Sequence, residues 1–121
     1  MKSVKRIDSV FVPVTDLQRS EEWYMKVFPF RVVYRSGDGN YVGFRFNEEG
    51  EEVKTALTIF KTDKLPERIH SPFNFYIEEV DGFHTFLVEN GYNVGEIHSA
   101  DGMRFFDFYD PDGNTLGVVE F

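Results

Sequence analysis

The chain has 121 residues, 41% of them hydrophobic, with 14 Phe and 6 Tyr, and a formal net charge of −8. That length suits one compact domain, and the apolar content supports a real core and argues against disorder. The negative charge disfavours nucleic acid as a partner, the lack of Cys removes disulfide and thiolate chemistry, and no apolar run approaches the roughly 20 residues of a membrane span.

The basic start, Met1 to Arg6, is followed by no long apolar stretch, so no signal peptide and a cytoplasmic location are expected. Ile7 to Val14 is rich in Val and alternates imperfectly, which predicts a strand. Val10, Val12 and Val14 share one face, and Ser9, Phe11 and Pro13 the other. Thr15 and Gln18 have the spacing of a capping box, with Thr15 as N-cap. Leu17, Tyr24, Val27 and Phe28 recur at helical spacing, predicting a helix from about Asp16 to Phe28, ended by Pro29. Strands follow at Phe30 to Arg35, Tyr41 to Asn47 and Val53 to Lys61, separated by the turn cluster 36–40 and an acidic loop at 48–52.

Residues 62–71 contain Pro66 and little periodicity, and read as a linker. The order then repeats. Phe73 to Ile77 is a predicted strand. Val80 to Asn90 is a helix with Phe83, Phe86 and Leu87 on one face, stopped by Gly91. A short strand is expected at Tyr92 to Glu96, and a final pair at Met103 to Tyr109 and Thr115 to Phe121. A shift of 63 positions carries Val10, Val12 and Val14 onto Phe73, Phe75 and Ile77, and Trp23 and Tyr24 onto Phe86 and Leu87. Each unit reads βαβββ, and one such unit cannot bury both its helix and its sheet alone. A ferredoxin-like sandwich is the rival α+β reading, but it accounts less well for three consecutive strands after each helix.

Three segments carry a resemblance. They are Ile7 to Leu17 continuing through Ser20, Trp23 and Tyr24; Phe73 to Asp81; and the closing Tyr109-Asp110-Pro111-Asp112-Gly113-Asn114-Thr115-Leu116-Gly117. In that order and spacing they resemble the vicinal-oxygen-chelate superfamily, the glyoxalase/bleomycin-resistance/dioxygenase group. The resemblance covers nearly the whole chain. It implies an α+β fold of two βαβββ modules, about 1–61 and 72–121, forming one cupped mixed sheet with the helices outside and a cavity on the concave face. It also implies a homodimer.

Metal-dependent members resemble one another in placing ligands on the first, fourth, fifth and last strands. Those positions fall here on Ser9, Ala56 or Thr58, Pro72 and Gly117. Pro and Gly offer no ligating side chain, and divalent first-row metals want several imidazole or carboxylate donors. The expectation is therefore no metal and no cofactor. His70, His84 and His98 are the only histidines. No short ligand spacing joins them, and His84 reads as a surface residue on the outside of the second helix. His70 or His98, with Asp107 or Glu120, leaves an unusual site open.

On the implied cup, strand alternation turns Ser9, Phe11, Asn74, Tyr76, Val119 and Phe121 inward. Thr58 joins them, and Phe105, Asp107 and Tyr109 follow once Phe108 faces the helices. These residues either line a ligand pocket or simply fill the cup. Arg45 and Arg104 are strand cations, either anion partners or ordinary exposed charges. Glu120 alternates away from Gly117 and reads as a rim charge. The favoured reading is a protein that binds a small aromatic or cationic molecule without metal. A lyase or dioxygenase with a non-standard site and an interaction module that has lost its ligand are the alternatives, so catalysis is left open.

Overall fold

The computed structural model describes residues 3, 5–47, 54–67 and 71–121. The expected acidic loop at 48–52, the start of the fourth strand at Val53, and His70 lie outside the described residues. The elements run β1 (Ser9–Val14), α1 (Leu17–Val27), β2 (Phe30–Arg35), β3 (Tyr41–Phe46), β4 (Ala56–Lys61), β5 (Asn74–Tyr76), α2 (Val80–Glu89), β6 (His98–Ala100), β7 (Met103–Tyr109) and β8 (Thr115–Glu120). They form two compact units, Met1–Leu65 and Pro66–Phe121. Each is one βαβββ module with a four-stranded mixed sheet, so the fold is α+β.

In module 1 the strand order is β1-β4-β3-β2, with β1 parallel to β4 and the other pairs antiparallel. Asp16, not Thr15, caps α1: its carboxylate accepts the Arg19 N–H at 3.1 Å. Both residues are competent caps, and the one whose side chain reaches the third helical N–H wins. Ser20, Tyr24 and Val27 turn the buried face of α1 onto the sheet. Tyr24, Phe28, Phe30 and Phe44 meet there in near-parallel stacks, with centroids 4.8 to 6.0 Å apart. Trp23 sits edge-on to Tyr24 and Phe28 and covers the end of this stack. Burying a ring such as Phe44 stabilises the fold by about 1.5–3 kcal/mol relative to leaving it exposed.

Module 2 repeats the arrangement, with strand order β5-β8-β7-β6 and β5 parallel to β8. Its helix cap, Glu79, lies 63 positions after Asp16 (79 − 16), and the fully buried Leu87 lies 63 after Tyr24 (87 − 24), as the shift in the sequence requires. The Glu79 side chain makes no cap bond. Glu120, at the end of β8, accepts the Val80 N–H at 3.0 Å instead. The expected rim charge is thus a helix cap supplied by a distant strand. Arg104 is likewise engaged, forking onto both Asp81 oxygens at 2.6 and 2.9 Å.

The second strand of this module differs from expectation. Tyr92 to Glu96 forms no strand; only Val94 bridges to Phe108. The strand is β6, His98–Ala100, paired with β7. Asp101 and Gly102 join the two with φ of 53° and 79°, so both turn residues are left-handed. That is the conformation two-residue hairpins favour.

The closing turn is tied together by the Asp110 side chain. Gly113 takes φ 79°, and the buried Asp110 carboxylate accepts the Asp112 and Asn114 N–H groups at 3.0 and 2.9 Å and the Asn114 amide at 2.8 Å.

Candidate ligand-binding site

Each sheet buries one face under its helix and turns the other away. In module 1 Val12, Val14, Val42, Phe44, Leu57 and Ile59 are all buried. Of these, Phe44 stacks on Tyr24 of α1, which marks the helix side of β3. The face without the helix carries Ser9, Phe11 and Thr58. Ser9 Oγ and Thr58 Oγ1 hydrogen-bond to each other at 2.7 Å. Phe11 pairs with Thr58, which pairs with Gly43, which pairs with Tyr34 after a bulge at Val33. A Cβ at Gly43 would press on Tyr34 Cβ at 3.3 Å and Thr58 Oγ1 at 3.4 Å, so this row is tightly set.

In module 2 the buried Phe106, Phe108, Leu116 and Val118 face α2, with Phe83 and His84 packed on the rings of β7. The opposite face holds two cross-strand rows. Asn74, Gly117 and Asp107 form one; Tyr76, Val119, Phe105 and His98 form the next. A hollow of about 200 Å³ is lined by Asn74, Met103, Phe105, Asp107 and Val119, with Phe106 and Val118 also contributing. Tyr76 and Phe121 stack edge-on at 5.1 Å on this same face. Tyr109 stands further along β7, paired with Thr115, and does not line the hollow. Met103 was not expected there, although its even spacing from Phe105 and Asp107 was the available signal.

Asn74 occupies the space above Gly117. A Cβ at Gly117 would collide with Asn74 Oδ1 and come within 3.2 Å of Ser71 Oγ. Asp107, with no neighbouring cation in the row, gives the hollow one carboxylate among apolar walls. The groups whose pKa is displaced lie elsewhere. The Arg104 hydrogen bond holds Asp81 below its ordinary value, and the Ser36 hydroxyl does the same for Asp38. The hydrogen bond to Glu21 raises Arg35.

The model of the glyoxalase/bleomycin resistance protein/dioxygenase superfamily matches residues 6–118. The chain belongs to that superfamily. No curated protein matches it. Among solved structures, the chain is similar to TnmS3, an antibiotic binding protein from Streptomyces, at 20% identity and TM-score 0.82, covering 99% of this chain and 98% of that one. It is also similar to a lactoylglutathione lyase from Agrobacterium tumefaciens, at 23% identity and TM-score 0.77, covering 98% and 96%. A fosfomycin resistance protein, FosX, from Listeria monocytogenes follows at 17% identity and TM-score 0.80, covering 98% and 94%. At these identities the likeness is one of fold.

The ligand positions implied for metal-dependent superfamily members do not fit a metal in this chain. Ser9 and Thr58 satisfy each other. Pro72 has no donor, and the room a carboxylate would need at Gly117 is filled by the Asn74 amide. Among the described residues no three of His, Asp and Glu are grouped to hold an ion. His84 is not the surface residue expected: it is half-buried, and its Nε2–H donates to Gly95 O at 2.9 Å. His98 is an exposed strand residue beside Phe105. No helix among the described residues is long and apolar enough to cross a membrane.

Proposed function

We propose that this superfamily member binds a small aromatic or cationic molecule, without a metal, on the helix-free face of module 2. The single observation that carries the reading is the hollow where one carboxylate, Asp107, and one amide, Asn74, stand among Met103, Phe105 and Val119. A concave, mostly apolar surface with few convergent polar groups is the usual make-up of a small-molecule site. The exposed Tyr76 and Phe121 beside it, at 57% and 79% accessibility, offer aromatic faces that a flat or cationic ligand can cover. One structural neighbour, TnmS3, is an antibiotic binding protein, which is in keeping with this reading. Asp107 supplies the preference for positive charge, since an opposite charge in a partly apolar hollow is screened less than on an open surface.

The reading includes a homodimer, as the superfamily resemblance implies, and sedimentation as a monomer would count against that part. Ligand binding is tested by thermal unfolding with a panel of aromatic amines, matched neutral aromatics and matched aromatic acids. Amines should stabilise most, and D107N should erase their advantage over the neutral compounds. Equal responses to all three classes, or an amine advantage that survives in D107N, would overturn the assignment.

A further inference from the structure

A second feature lies on module 1. Arg31 on β2 and Arg45 on β3 are directly opposite partners in the antiparallel ladder. Arg31 alternates with Phe30, whose ring stacks on Phe28 and Phe44, and Arg45 alternates with Phe44, which stacks on Tyr24 of α1. Both arginines therefore point to the helix-free face. Like charges directly opposite on a sheet destabilise it. Among the described residues the other strand and loop arginines are paired: Arg6 with Asp8, Arg35 with Glu21, and Arg104 with Asp81 and Glu120. Arg31 and Arg45 have no such partner among the described residues, although the chain carries 21 carboxylates and 13 Lys and Arg. Arg45 Nε is moreover shut off from solvent, with nothing among the described residues to accept its hydrogen. A charged donor left unmatched in this way is costly.

We infer that Arg31 and Arg45 form a binding site for a small oxyanion, a carboxylate or phosphoryl group. One anion between the two guanidinium groups cancels the like-charge contact. Each planar fork matches two oxygens of such a group. The partial desolvation of Arg45 strengthens any bond its outer nitrogens make. This site is independent of the module 2 hollow and takes the opposite charge.

The test is thermal unfolding of the full chain at fixed ionic strength, with chloride replaced stepwise by inorganic phosphate or by benzoate. A saturable rise is expected, about 5 °C at ten times the dissociation constant. A rise with phosphate alone assigns a phosphoryl ligand, and one with benzoate alone a carboxylate. R31Q and R45M should each weaken the response at least about tenfold, the scale of one lost charge-assisted bond. R45K keeps the charge and loses the fork, so it should weaken the response even if R45M fails to fold. No rise beyond chloride with either anion, or a rise unchanged in R31Q and R45K, would overturn the proposal.

Discussion

The two modules share one topology and solve its local problems differently. Module 1 caps its helix with its own Asp16, whereas module 2 borrows Glu120 from the far end of the chain. Module 1 packs its rings in parallel stacks, while Phe83 meets Phe108 edge-on and Phe106 at a tilt. At the ligand positions that the resemblance implies, module 1 carries two hydroxyls bonded to each other, and module 2 has an amide lying over a glycine. The fold is thus held by apolar pattern and strand register. The chemistry of the helix-free faces is free to diverge beneath that constraint.

The comparison is broken most severely by removing a core ring from one module. Phe44→Ala should cost about 3–5 kcal/mol and Leu87→Ala about 2–5 kcal/mol in chemical denaturation. Similar losses from the two would mean that the modules contribute evenly. The next effect lies at the altered ligand position. Gly117→Ala drives a methyl into Asn74 and should cost about 1–3 kcal/mol, and adding Asn74→Ala should restore most of it. A double-mutant cycle without that recovery would mean that Asn74 is not what fills the site. Asp110→Ala leaves the closing turn's inward N–H groups without an acceptor, for a loss of about 1–3 kcal/mol.

Smaller still, Glu120→Ala should cost about 0.5–2 kcal/mol as a lost cap and loosen hydrogen exchange in the first turn of α2, which separates this cap from that of α1. The smallest effect is on pH dependence. Asp81 is held below its ordinary value of 3.8, chiefly by the Arg104 hydrogen bond. Its contribution is therefore complete above that value and is lost as the pH falls through the lowered one. D81N should flatten this part of the acid limb of the melting curve and leave neutral pH nearly unchanged.

Much of the fold was legible in the sequence, because β1, β2, β7 and β8 are rich in β-branched and aromatic residues and Pro29 and Gly91 end the helices. The misreadings have specific causes. Tyr92 to Glu96 looked more strand-like than His98 to Ala100, but the Asp101-Gly102 turn folds the latter onto β7. That dipeptide is a strong hairpin signal and was the clue available. Thr15 and Asp16 are equally good caps by residue type, and only geometry separates them. Glu120 as a cap, the Arg31–Arg45 pairing and the Asn74 amide over Gly117 depend on strand register, which no local pattern in the sequence encodes.

The central proposal is that Ser9, Ala56 or Thr58, Pro72 and Gly117, at the ligand positions the resemblance implies, hold no metal. Thermal unfolding of the chelator-treated protein with Mn²⁺, Fe²⁺, Ni²⁺ and Zn²⁺ tests it most directly. The account predicts no saturable shift with any of them. A stoichiometric metal that raises Tm by several degrees, reversed by chelator, would contradict it.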